Sequence, residues 1–194
     1  MNFCKTFDSD FIHCGKIDLP WDQVYQDLKS VEKDISRSHS IASGSNDYSD
    51  DALQKTLDTY RKYGYTEHNT ILWKTTAREP KLTFDWEQTI IDQLPLDHAV
   101  AALTRQDPGQ ILPWHEDKFF MLRRLYPEDV RPIWRFLLMM EDWKIGHILQ
   151  INNSVFSHWK KGDVVVWKPS TMHLAVNAGI EVKWTCNITG FLNI

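Results

Sequence analysis

From Asp97 to the end of the chain, short runs rich in branched and aromatic residues follow one another with turn residues between them, and this texture constrains the fold most. About eight such runs are readable: His98 to Thr104, Gln110 to His115, Trp134 to Glu141, His147 to Ile151, Val155 to Phe156, Asp163 to Trp167, His173 to Val176 and Val182 to Phe191. Asp107-Pro108-Gly109, Lys161-Gly162-Asp163 and Asn177-Ala178-Gly179 mark turns, and Asn177 and Gly179 are expected to be turn residues with positive φ. Eight short strands after a helical lead-in suit a jelly-roll barrel, in which helices buttress one sheet and the other end stays open.

The first 96 residues read differently. Trp21, Val24, Tyr25, Leu28 and Val31 keep the three-and-four spacing of one buried helix face, which predicts a helix from Trp21 to Ile35 entered after Pro20. A polar stretch from Ser36 to Ser49 reads as a loop, and Leu53 and Leu57 suggest a second helix from about Asp50 to Lys62, closing near Gly64. Thr70 to Thr75 is a short strand candidate, and Trp86 to Leu94 a third helix ended by Pro95. The expectation is one domain over 1–194, mainly β with helices (α+β): a mostly helical lead-in at 1–96 buttressing a jelly-roll, cupin-like core at 97–194.

Composition narrows the function classes. The net charge of −4 supplies no global positive field, so nucleic acid is a disfavoured partner. Three cysteines without a C-x-x-C pair support neither a disulfide framework nor a thiolate zinc site. Neither a signal-peptide pattern nor an apolar run of membrane-spanning length is present, so a cytoplasmic location is expected.

The chemistry-bearing residues gather around the second run. Strand alternation sends His115 and Asp117 to one side and Glu116 away from them. A third ligand is needed to hold a metal, and His173, which opens a later strand, is the best candidate. Two imidazoles and one carboxylate on one face of an octahedron leave the other face open, the arrangement suited to non-haem Fe(II). The bland alternative, hydrogen-bonded structural histidines, is the reading for His13, His39, His68, His98, His147 and His158.

The segment RQDPGQILPWHED resembles the P-G-x-x-x-x-x-H-x-D lead-in of the Fe(II)/2-oxoglutarate-dependent oxygenases, in particular prolyl and aspartyl/asparaginyl hydroxylase-like members. The later segment WKKGDVVVWKPSTMHLAVNAGIEVKW is similar to their G-D…H-x-x-x-N-x-G stretch followed by a basic residue, here Lys183. The resemblance covers about Ala99 to Phe191. It implies a double-stranded β-helix, Fe(II) held by His115, Asp117 and His173 on the second and seventh strands, and 2-oxoglutarate and O2 as co-substrates. It further implies a hydroxylase that releases succinate and CO2, acting on a peptidyl residue or a small amino-acid-like substrate. Because Asp117 is a carboxylate, hydroxylation is implied over halogenation.

Lys183 is then expected to grip the distal carboxylate of 2-oxoglutarate, since a fixed cation compensates for taking that group out of water. Positions 183, 185, 187 and 189 share one strand face, so Thr185 is a second candidate contact, and Arg135, which begins a neighbouring strand, a third. Where the family often places a Tyr before the H-x-D motif, this chain reads Thr104-Arg105-Gln106. The stretch from Lys118 to Arg131 reads as a substrate lid with Arg123 and Arg124, and Trp114 as part of the mouth. The competing class is a cupin-like protein that binds a metal or a small acid without turnover.

Overall fold

The computed structural model describes residues 3, 5–31, 37–39, 58–66, 69–76 and 84–193. They contain β1 (Ile12–Lys16), β2 (Arg37–His39), β3 (Ile71–Thr76), β4 (Leu96–Gln106), β5 (Ile111–His115), β6 (Ile133–Met139), β7 (His147–Ile151), β8 (Ser154–Phe156), β9 (Asp163–Val166), β10 (His173–Asn177) and β11 (Lys183–Leu192). Three helices are α1 (Trp21–Val31), α2 (Asp85–Ile91) and α3 (Phe120–Leu125), and residues 58–62 are also helical.

The pairing of β4 to β11 has one organising centre. β7 and β8 form a hairpin, and outward from it β6 pairs with β9, β5 with β10 and β4 with β11, all antiparallel. One long hairpin is thus wound into two sheets, β9-β6-β11-β4 and β5-β10-β7-β8, which is a double-stranded β-helix, or jelly roll. The turn at its tip uses Asn152 at a φ of +48°, a left-handed conformation that asparagine tolerates better than most residues.

β6 shows why the sequence folds this way. Phe136 and Leu138 face outward into a cluster with Val164, Cys186 and Ile188 and with Val24, Leu28, Trp86 and Ile90 of α1 and α2. Leu137 and Met139 face inward against Leu149, Ile151, Trp159, Val165 and Trp167. A strand covered on both faces needs an unbroken apolar run, which Phe136 to Met140 supplies. Each of these side chains contributes about 1.5–3 kcal/mol by leaving water.

The N-terminal part departs from its helical reading. Ile12–Lys16 is a strand that extends the large sheet by pairing with β9, while β2 and β3 extend its other edge beyond β4. β1 escaped notice because Gly15, at a φ of +110° and beside a register shift, interrupts its alternation. Arg37–His39 is a strand inside the stretch read as a loop, and 58–62 is the described part of the second expected helix; residues 32–36, 40–57 and 77–83 lie outside the described set. The first helix spans Trp21–Val31 and the third Asp85–Ile91 among the described residues. Phe120–Leu125, expected as loop, is the short helix α3.

Asn177 and Gly179 also differ from expectation, because neither has a positive φ. Asn177 ends β10 fully buried, where its Nδ2 donates to the carbonyls of Gln106 and Glu181 and ties three segments together. Gly179 is required for close approach. A Cβ there would lie 2.4 Å from the Ile145 carbonyl oxygen, and one on Gly146 would lie 2.3 Å from the Gly179 nitrogen.

Candidate metal centre

The last residue of β5 and the first of β10 are register partners, which brings His115 beside His173 at one end of the barrel. Their ring centroids are 4.3 Å apart. Asp117 follows two residues after His115, with its Oδ1 4.0 Å from His115 Nε2 and its Oδ2 3.8 Å from His173 Nε2. One ligand atom from each residue lies within 4.8 Å of the others.

Both imidazoles are oriented by backbone. His115 Nδ1 lies 2.7 Å from the Pro113 carbonyl and His173 Nδ1 lies 3.0 Å from the Thr171 carbonyl. A carbonyl only accepts, so each Nδ1 carries the proton and each Nε2 presents its lone pair toward Asp117. Burial, reinforced by His173, lowers the His115 imidazole to about 4, and burial also lowers His173, so both are neutral at pH 7. Two neutral imidazoles and one carboxylate, separated by gaps that admit an ion about 2 Å from each donor, fit a divalent first-row metal. Trp167 packs against the His173 ring at 4.6 Å and closes that side.

Arg135 is drawn to the same place. It opens the inward face of β6 opposite Thr189, its Nε donates to Thr189 Oγ1 at 3.1 Å, and its Nη1 is ion-paired with Asp117 Oδ1. The Phe119 ring lies under the guanidinium, 5.4 Å from its carbon. Alternation along β11 made Thr189 recognisable as an inward residue, whereas no local signal marked Phe119, whose approach depends on a φ of +52°.

Lys183 and Thr185 occupy the inner face of β11 farther from this end, both buried. Lys183 Nζ donates to the Ile148 carbonyl at 2.8 Å and the Val176 carbonyl at 3.4 Å, and sits 5.7 Å from the Trp159 ring centre. Burial lowers this ammonium to about 7, a change only partly offset by Glu141. Val176 is three residues along β10 from His173, about 10 Å at about 3.3 Å per residue. The Lys118 to Arg131 stretch leaves the triad through α3, whose last turn carries the exposed Arg123 and Arg124. Trp114 is partly exposed next to His115, and the Tyr60 hydroxyl anchors its carbonyl at 2.7 Å. Trp134, Trp159 and Trp167 are core packing, and no helix among the described residues is long and apolar enough to cross a membrane.

No protein-family model matches this chain, and no curated protein does. Among solved structures it is similar to a Pseudomonas putida prolyl-4-hydroxylase at 15% identity, over 88% of this chain and 98% of that one, with a TM-score of 0.48. A viral collagen prolyl hydroxylase from Paramecium bursaria Chlorella virus-1, in complex with 2-oxoglutarate, is 14% identical over 71% and 88%, with a TM-score of 0.44. A predicted oxalate decarboxylase from Thermotoga maritima is 11% identical over 63% and 82%, with a TM-score of 0.39. The jelly-roll architecture of this chain is fixed by its own strand pairing.

Proposed function

We propose that this chain is an Fe(II)- and 2-oxoglutarate-dependent dioxygenase that hydroxylates a C–H bond of a peptidyl residue or an amino-acid-like molecule. The observation that carries this reading is the pairing of a two-His, one-Asp cluster at the barrel end with a buried lysine on the inner face of β11, whose ammonium meets the Val176 carbonyl three residues along β10 from His173. His115, Asp117 and His173 hold the metal, and when bound it supplies, with 2-oxoglutarate and O2, oxidative decarboxylation to succinate and CO2 coupled to hydroxylation.

The chain's own residues bind, orient and exclude water. The Pro113 and Thr171 carbonyls keep each imidazole in the tautomer that coordinates through Nε2. Lys183 takes the distal carboxylate of 2-oxoglutarate with Thr185 beside it, exchanging carbonyl acceptors for an anionic one in a setting walled by Trp159. α3 and Trp114 border the metal end, where Arg123 and Arg124 meet the substrate. Peptidyl Asp, Asn or Pro is the first substrate class, on the resemblance of the lead-in to His115.

One observation favours a second reading. Lys183 Nζ already has two carbonyl acceptors, so a metal-binding jelly roll without turnover needs no diacid to satisfy it. Anaerobic titration of the metal-loaded chain with Fe(II) and 2-oxoglutarate separates the two. A visible metal-to-ligand charge-transfer band under anaerobic conditions, and succinate release once O2 is admitted, both lost in His173→Ala, are expected of the dioxygenase. Folded, iron-loaded protein without the band supports the binding protein.

A further inference from the structure

We infer that Arg135 is a positioning residue for the carboxylate of the metal centre: it holds Asp117 Oδ1 and leaves Oδ2 as the oxygen offered to the ion. This rests on the reading of His115, Asp117 and His173 as metal ligands, and it differs from the co-substrate contact that strand position alone suggested for Arg135.

Three features of the chain support it. First, the guanidinium is directed by fixed groups. Its Nε is committed to Thr189 on the neighbouring strand β11, and this leaves Nη1 facing Asp117 Oδ1. A planar fork whose Nε and Nη1 are bound at the same time cannot rotate about its last bond without losing both contacts. Second, the segment after Asp117 is bent to serve the same arginine. Phe119, two residues on, adopts φ +52° and ψ +30°, which is uncommon for a bulky residue and costs on the order of 1–3 kcal/mol unless its surroundings enforce it. That conformation places its ring under the Arg135 guanidinium. Third, the two carboxylate oxygens are differentiated. Oδ1 carries the guanidinium and is 4.0 Å from His115 Nε2, whereas Oδ2 is 3.8 Å from His173 Nε2.

The chemical consequence concerns how many oxygens Asp117 gives to a metal. Asp117, with only 6% of its side chain exposed, places one oxygen 4.0 Å and the other 3.8 Å from an imidazole Nε2, and a carboxylate can bind a divalent ion through one oxygen or through both. A charge-assisted hydrogen bond to one of them limits it to a single donor atom, which keeps the number of protein donor atoms at three. Arg135 therefore acts on the metal through Asp117, without touching it.

Co(II), which reports its ligand arrangement in the visible range, is the probe, added without 2-oxoglutarate to the folded chain and to Arg135→Met, Arg135→Lys and Thr189→Val. In Arg135→Met the Co(II) spectrum is expected to change shape and the dissociation constant to rise 10- to 100-fold. Arg135→Lys, which cannot reach Asp117 and Thr189 together, falls between it and wild type. Thr189→Val, which keeps the guanidinium but removes its anchor, shifts the spectrum in the same direction by less. A purely structural role would lower the melting temperature and leave the spectrum of the folded fraction unchanged, and that result overturns the inference. So does an Arg135→Met protein with wild-type Co(II) affinity and spectrum but weakened 2-oxoglutarate binding, which would make Arg135 a co-substrate contact. Should Arg135→Met fail to fold, an unaltered Thr189→Val spectrum refutes the role alone. Wild-type protein that binds no Co(II) refutes the metal reading itself.

Discussion

Replacing Lys183 with methionine keeps most of the buried stem and removes the ammonium, so it isolates what the charge costs the fold. Desolvation lowers this lysine from 10.5 to about 7, with Glu141 as the opposing influence. The interval corresponds to about 5 kcal/mol against the ammonium in the folded chain, an order-of-magnitude figure. Below pH 7 the lysine is charged in both states, and the folded state bears the whole penalty. As pH rises from 7 toward 10.5, the folded chain releases the proton while the unfolded chain still holds it, so stability increases by about 1.4 kcal/mol per pH unit. Between pH 7 and 8.5 this amounts to roughly 2 kcal/mol, or roughly 4–8 °C in melting temperature for a chain of this size. The groups that share this end of the barrel are Glu141, Lys144, His147 and Glu181. His147 is held below its ordinary range chiefly by burial, and so titrates outside that window.

Urea denaturation of the metal-free chain at the two pH values is the assay. Wild type should gain stability across the interval, and Lys183→Met should start more stable at pH 7 and gain little. Parallel slopes would mean that the ammonium is hydrated in solution, and the burial argument would fail. A dicarboxylate bound at Lys183 favours the charged form, so above pH 7 its binding takes up a proton and weakens, by up to about tenfold per pH unit. Calorimetric titration with 2-oxoglutarate should show this dependence in wild type, and Lys183→Met should lose most of the affinity.

Because burial holds His115 at about 4, Co(II) binding at pH 5.5 should displace no proton from it, whereas an ordinary imidazole would release most of one; titration in buffers of different ionisation enthalpy counts them. For the metal-free chain the lowered value means that stability falls as pH drops from 6.5 toward 4, since the unfolded imidazole takes up its proton first. Gly146→Ala adds a Cβ 2.3 Å from the Gly179 nitrogen at a φ of +90°, where neither backbone has a flexible end to yield. A loss of about 2 kcal/mol or more is expected, and an unchanged denaturation midpoint would contradict the packing.

What the sequence revealed and what it hid divide along a physical line. The eight core strands were legible because each is short, rich in branched or aromatic residues and bounded by turns. Strand alternation also sufficed to put Lys183 with Thr185 on a shared face, whereas Asp117 lies past the end of β5 and meets His115 from the segment that follows. Pairing across long separations carries no local signal, so the meeting of Arg135 with Asp117, and of Phe119 with Arg135, emerges only from the fold. β1 was hidden by its glycine bulge, and α3 by an entry residue with positive φ in place of an N-cap of the usual kind. The sequence alone suggests a turn glycine at Gly179 because glycine has two common uses, and the fold gives it the other one, close approach to the Ile145 carbonyl.

β11 explains why a barrel of this size can hold a polar site without losing its core. It is flanked in the large sheet by β4 and β6, and its two faces are segregated: Cys186 and Ile188 join the apolar cluster under the helices, while Lys183, Thr185, Asn187 and Thr189 line the interior. Buried polar groups cost several kcal/mol when unpaired, so such a row persists only if its members are satisfied. Asn187 donates to Thr104 Oγ1, Thr189 accepts from Arg135, and Lys183 donates to two carbonyls of the small sheet. Because these partners lie on β4, β6, β7 and β10, the row also ties the two sheets together. A ligand that displaces Lys183 from Ile148 and Val176 must replace those bonds with at least equal ones, which a carboxylate does and a neutral molecule of the same shape does not. If the chain takes 2-oxoglutarate as proposed, its choice of a diacid is therefore set at Lys183, at the end away from His115 and His173.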